Sequence, residues 1–265
     1  LFFTRVLTAS ALLGAFLAAL FWLHRTGFAV LAAVIVALAG YEWAMLGRTS
    51  RWFSCAYGAA CAVLCFMLAQ EASLTRWICG AAGLFWITAV PYWLARGVAP
   101  APVGVTLAAG AVAIVPAGLA MATLPREQLL MGLGLIWVAD TSAYLAGRAF
   151  GRRRLAPSIS PGKTWEGVAG AAVGCTIYAI IWAFFDPELR ARVQGVVWVP
   201  FLAGTLLLCA LSVVGDLFES ALKRQAGAKD SGKLLPGHGG VLDRIDSATA
   251  TLPAALLLMQ AIGAT

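Results

Sequence analysis

Nine times in 265 residues the sequence runs apolar for long enough to cross a bilayer. A helix needs roughly 20 such residues to span the hydrocarbon core. The runs fall at about residues 5–23, 28–46, 52–70, 74–94, 103–124, 128–149, 164–185, 196–218 and 243–263. None alternates apolar with polar side chains as barrel strands do, so helices are the spanning element. The expected fold class is all-α, a polytopic membrane helical bundle of about nine transmembrane helices. Polar or turn-forming clusters such as His24-Arg25-Thr26-Gly27 and Gly47-Arg48-Thr49-Ser50-Arg51 break the runs. No long polar linker separates them, so residues 1–265 read as a single integral-membrane domain. The first run reads as one span among many, without the small-residue cleavage pattern of a signal peptide. Only 12% of the residues are charged, about half the ~25% of soluble domains, which excludes a soluble globular enzyme.

The net charge is +7. In a membrane chain such an excess reflects topology and anionic headgroups rather than nucleic acid. With the N-terminus inside, the outer side keeps Arg25, Arg76, Arg126, Arg190 and Arg192, and the other fourteen of the 19 Lys and Arg lie inside. That bias predicts an inner (cell) membrane protein whose segment between the eighth and ninth runs is cytoplasmic. Cys55, Cys61, Cys65, Cys79, Cys175 and Cys209 all sit in apolar runs without a C-x-x-C pair. They read as small hydrophobes, not as a disulfide framework or a zinc site.

Charge and glycine concentrate between Ser220 and Asp246. Lys223, Arg224, Lys229, Asp230, Lys233, His238, Asp243, Arg244 and Asp246 stand there with Gly227, Gly232, Gly237, Gly239 and Gly240. Cations attract phosphate, glycines let the backbone approach it, and carboxylates hold a hard metal ion. On a helix Asp216, Glu219, Ser220 and Lys223 share one face. Its bland reading is an internal Asp216–Lys223 pair. Asp243 and Asp246 follow Gly239-Gly240 at i, i+3, where a first helical turn also favours acids for its dipole alone. Acidic residues inside spans cost about 2.5–3.5 kcal/mol on insertion scales and default to a functional hypothesis. By that rule Glu42, Asp140, Asp216 and Glu219 invite attention. Glu42, near a cytoplasmic end, reads as structural or interfacial.

The order Ser220, Lys223-Arg224, Lys229-Asp230, Pro236, His238-Gly239-Gly240, Asp243-Arg244, Asp246 resembles the signature of the phosphatidate cytidylyltransferases, or CDP-diglyceride synthases. About twelve specified positions match in order and spacing, and Ser160-Pro-Gly-Lys-Thr-Trp-Glu-Gly167 resembles a second family segment. The resemblance implies a membrane nucleotidyltransferase that converts CTP and phosphatidate to CDP-diacylglycerol and pyrophosphate in phospholipid biosynthesis. It implies Asp216, Asp243 and Asp246 as Mg2+ ligands, with a second cation left open. Asp216, Lys223, Asp243 and Asp246 would be catalytic. Lys163, Lys223, Arg224, Lys229, His238, Gly239 and Gly240 would contact substrate. The glycine loop and the N-terminus of the ninth helix would offer backbone N–H groups to phosphate. His238 fits a phosphate contact better than a general base, because a lipid phosphate is already ionised near neutrality. The same resemblance places Asp140, which shares a face with Tyr144, along a polar cavity. A homodimer is left open.

Gly162-Lys163-Thr164 is no P-loop: Pro157 stands where that motif needs its first glycine. The segment reads as a cytoplasmic loop ending in a helix start, with Ser160 or Thr164 as cap, Glu166 in the first turn and Lys163 free to reach phosphate. Arg152-Arg153-Arg154 reads as a topology and headgroup determinant. Two alternatives stay open. A CTP-dependent polyprenol kinase would transfer the γ-phosphate. An ion-coupled membrane transporter would place its acids at the midplane, whereas here they cluster at one end. A CDP-alcohol phosphotransferase would need an Asp-Gly-x-x-Ala-Arg motif, which is absent.

Overall fold

The computed structural model describes residues 2–235, 237 and 239–263. Ten helices and one small hairpin follow in the order α1 (Phe2–Trp22), α2 (Arg25–Leu46), α3 (Arg51–Ala69), α4 (Ala72–Ala95), α5 (Val103–Thr123), α6 (Arg126–Phe150), β1 (Arg154–Ala156), β2 (Ser160–Thr164), α7 (Trp165–Phe185), α8 (Pro187–Arg192), α9 (Trp198–Ala226) and α10 (Leu242–Ala261). The nine long helices coincide with the nine apolar runs. Among the described residues seven helices are long and apolar enough to cross a membrane by themselves, so this is a multi-pass membrane protein. The other two long helices are α1 and α10, which opens with Asp243, Arg244 and Asp246. Protein rather than lipid surrounds much of α10, which packs on α4, α5, α6 and α9.

Local signals explain the ends. Ser50 caps α3 by accepting from the N–H of Phe53, and Asp186 caps α8, with Pro187 in its first turn. Gly227, in the left-handed region at φ +72°, stops α9. Two boundaries differ from the hydropathy reading. The apolar run ends near residue 218, but the helix continues to Ala226, past the shared face of Asp216 and Lys223, because Glu219, Lys223, Arg224 and Gln225 are good helix formers although too polar to extend an apolar run. Its 29 residues span about 43 Å, so its last turns project beyond a hydrocarbon core of roughly 30 Å. Residues 154–164 form an antiparallel hairpin, with Arg154 opposite Thr164 and Ala156 opposite Ser160, where a plain loop was expected.

Close helix approaches depend on missing side chains. A Cβ at Gly170 or Gly174 of α7 would collide with Ala146 or Ser142 of α6. One at Gly215 of α9 would lie 2.7 Å from the Asp246 carbonyl oxygen of α10. The core at the motif end of the bundle is aromatic. Phe218 of α9 is fully buried, with ring centroids 5.7, 6.0, 5.5 and 5.4 Å from Trp43, Phe85, Trp86 and Trp93. Alternating helix directions bring the 46–51, 95–103, 150–165 and 226–242 connections to this end.

Candidate active site

Three elements converge at the motif end: the last three turns of α9, the first turns of α10 with the loop before them, and the β1–β2 hairpin. The hairpin is anchored from both sides. Ile159 is buried and packs with Leu155 and Ala156 against Leu217 and Ala221 of α9. Arg224 Nε donates to the Ile159 carbonyl. Of the two candidate caps it is Thr164 that caps α7, through the N–H of Gly167, and Glu166 accepts from the N–H groups of Arg152 and Arg153. So held, β2 delivers Lys163 to Asp216, with Nζ 2.6 Å from Oδ2. The other Asp216 oxygen accepts from the Ser220 hydroxyl at 3.2 Å.

Lys223 pairs elsewhere. It is the ion partner of Glu219 one turn back, and its Nζ lies 2.7 Å from Asp243 Oδ1. The expected alternative partner, Asp216, is taken by Lys163 instead, because Lys223 points toward α10. Asp243 Oδ2 accepts from the N–H groups of Ser231 (3.0 Å) and Gly240 (2.7 Å). One carboxylate thus joins α9, the loop and α10. Asp246, one turn on, accepts from the N–H of Ser247 and lies within electrostatic reach of Asp216, Lys223 and Asp140. Asp140 is exposed on α6 and feels the charges of Asp216 and Lys163. Tyr144, on the same face, accepts from Arg148 at 3.0 Å.

Three of the N–H groups expected to meet phosphate, at the N-terminus of α10 and the last glycine before it, are already held within the protein. The N–H of Gly240 is held by Asp243, that of Leu242 by Glu42 Oε2 at 2.8 Å, and that of Asp243 by the Ser231 hydroxyl. The glycines serve the loop's own shape. Gly239 adopts φ +80° and its carbonyl accepts from Leu235, closing a tight turn. Of the remaining cations, Arg224 also bonds the Ala228 carbonyl. Lys229 is exposed and makes no ion pair among the described residues. His238, expected to contact phosphate, lies outside the described residues, as does Pro236.

Among the described residues, no group of three His, Cys, Asp or Glu side chains is gathered tightly enough to enclose a metal ion. Asp216, Asp246 and Asp140 lie close enough to feel one another's charge. Mg2+ needs only one or two carboxylates from a protein and completes its shell with water and substrate phosphate. Asp243 is the most committed of the expected ligands, since Lys223 and two backbone N–H groups already occupy its oxygens.

Sequence reasoning passed over the partners rather than the residues. Glu219 stands four residues before Lys223, a spacing that signals the pair. Nothing in the sequence links Glu42 to Leu242, 200 positions away.

Residues 3–262 match the family model described as "Cytidylyltransferase family". The chain belongs to the cytidylyltransferase family. Among curated relatives, it is 38% identical to a phosphatidate cytidylyltransferase of Pseudomonas aeruginosa, over 98% of this chain and 97% of that one. It is 37% identical to one of Brucella abortus (97% and 92%) and 33% identical to one of Thermotoga maritima (97% and 96%). These cytidylyltransferases match this chain across nearly all its length, so the likeness includes both the hairpin and the α9–α10 loop.

Proposed function

We propose that this protein transfers the cytidylyl group of CTP to phosphatidate, releasing CDP-diacylglycerol and pyrophosphate. The reading rests chiefly on full-length similarity to relatives of that name. In the reaction an oxygen of the lipid phosphate bonds to the α-phosphorus of CTP. The bond from that phosphorus to the bridging oxygen breaks, and pyrophosphate leaves. Both reactants are anions, so neutralising and positioning charge is the main task. Lys163 and Lys223 supply ammonium groups beside α9, each restrained by a carboxylate. Arg224 and Lys229 add positive charge at the membrane surface, where a triphosphate arrives. Asp216 and Asp246 would hold Mg2+, whose charge would offset that of the phosphates, while Asp243, its oxygens taken by Lys223 and two backbone N–H groups, would orient Lys223. The acyl chains of the lipid stay in the bilayer.

Purified protein given phosphatidate, Mg2+ and CTP labelled at the α-phosphate is expected to move the label into the lipid phase, with one pyrophosphate released per lipid. Release of CDP with unlabelled lipid would instead mean γ-phosphate transfer, as in a polyprenol kinase.

We also infer that the motif end faces the cytoplasm across the inner membrane, from the bias of fourteen to five in Lys and Arg. Of the six cysteines only Cys55 is exposed, so a Cys55→Ser background suffices for labelling. Lys233→Cys, on the exposed loop, should resist an impermeant thiol reagent in intact cells and react once the membrane is opened. Ready labelling in intact cells would reverse the topology.

A further inference from the structure

Glu42 lies near the end of α2, is 1% exposed, and sits against the motif loop. Its Oε2 accepts from the N–H of Leu242, the first residue of α10, and from the Ser231 hydroxyl at 3.1 Å. That hydroxyl in turn accepts from the N–H of Asp243 at 3.3 Å, while the Ser231 N–H donates to Asp243 Oδ2. Asp243 Oδ1 then holds Lys223. The result is one connected path, Glu42 to Ser231 to Asp243 to Lys223, running from α2 through the loop and α10 to α9. The loop is moulded around the carboxylate: a Cβ at either Gly232 or Gly240 would collide with its oxygens. These two glycines are there for close approach, since neither has a positive φ.

A buried carboxylate is an expensive way to cap a helix, and Oε1 of Glu42 has no hydrogen-bond partner among the described residues. A neutral acceptor could satisfy Leu242 and Ser231. What the negative charge adds is attraction for the positive end of α10. We infer that Glu42 is a positioning residue, an internal anion that occupies the N-terminus of α10 and, through Ser231, sets Asp243 and Lys223 for the reaction. It touches neither substrate nor reacting atoms. The inference rests on the cytidylyl-transfer reading for its catalytic consequence, but the clamp itself is a property of the folded chain.

The test uses the full chain in detergent, with Glu42→Ala, Glu42→Gln and Ser231→Ala. Amide hydrogen exchange and steady-state turnover are measured on each. In Glu42→Ala, exchange across 230–243 should rise at least tenfold while α3 and α7 exchange as in the unaltered protein. The kcat should fall roughly ten- to a hundredfold, the range for losing a hydrogen bond to a charged group, with KM for CTP changing much less. Glu42→Gln, which keeps an acceptor, should recover part of both. Ser231→Ala should repeat the pattern, and the double variant should be little worse than Glu42→Ala, because both residues act through one path. Should Glu42→Ala fail to fold, Ser231→Ala carries the same test. Unchanged exchange overturns the clamp, and so does exchange that rises equally in α3 and α7. Faster loop exchange with full turnover overturns the positioning role. An unaltered protein that transfers no cytidylyl group overturns the reaction reading, a result distinct from either.

Discussion

Asp216→Asn and Asp243→Asn should both stop turnover, but only the second should also loosen the protein. For each, kcat/KM for cytidylyl transfer is expected to fall at least a hundredfold, as when one preorganised electrostatic contact is removed. Their melting should separate them. The Asp216 side chain is 29% exposed and its partner Lys163 is 25% exposed, so their pair contributes about 1 kcal/mol or less. Its loss should shift Tm by a few degrees at most. Asp243 is 6% exposed and holds an ammonium and two backbone N–H groups at once. Asparagine offers one acceptor oxygen and places an NH2 against donors. Breaking a buried pair in this way costs on the order of 3–5 kcal/mol, which for a chain of this size lowers Tm by roughly 10 °C. Thermal-shift and label-transfer assays on the same detergent preparations check both. Equal losses of Tm would move Asp216 from the chemistry into the scaffold. Full turnover by Asp216→Asn at saturating Mg2+ would remove it as a metal ligand.

Gly215→Ala should cripple turnover while changing stability little. A Cβ there meets the Asp246 carbonyl at 2.7 Å and the Ser247 Cα at 3.2 Å. Both are backbone atoms, so α9 and α10 must move apart. Alanine gains about 1 kcal/mol of helix propensity, and the overpacking costs about 1–3 kcal/mol, leaving a small net change. The displacement falls between Asp216 and Asp246, however, and a misplacement of about 1 Å can cost a hundredfold in rate. Gly80→Ala is the control, because a Cβ there meets nothing within 4 Å. Turnover in Gly215→Ala equal to the control would mean that the spacing of the two aspartates does not govern the reaction.

The bundle was legible because burying backbone polar groups in lipid leaves long helices as the only solution, and long apolar runs mark them. The ends were less so. Hydropathy stops at the first charges, so only the shared face of Asp216 and Lys223 pointed beyond the run, and the stop at Ala226 before Gly227 was not marked by it. The hairpin was hidden because Ser160-Pro-Gly-Lys-Thr164 has neither the length nor the alternation of a strand; Ile159 docking on α9 holds it in place. At the site, residue types and order were readable, but pairing was not. Spacing puts Asp216 and Lys223 on one face of α9, yet their partners, Lys163 and Asp243, come from other elements. The capping of α10 by Glu42 was the least accessible feature. It joins residues 200 apart, and it alters the chemistry by closing a helix end that sequence alone offered to phosphate.

The ring of Trp43, Phe85, Trp86 and Trp93 around Phe218 has a mechanical consequence. Phe218 lies between Leu217, on which the hairpin rests, and Glu219, which holds Lys223. A side chain wedged among four rings acts as a key in a shaft: α9 can neither roll nor slide without unstacking several of them. Asp216 and Lys223 are therefore indexed against α2 and α4, helices that bring neither of those charges. Trimming Trp93, remote in sequence and uncharged, would be felt as a change in the angle at which two charges meet.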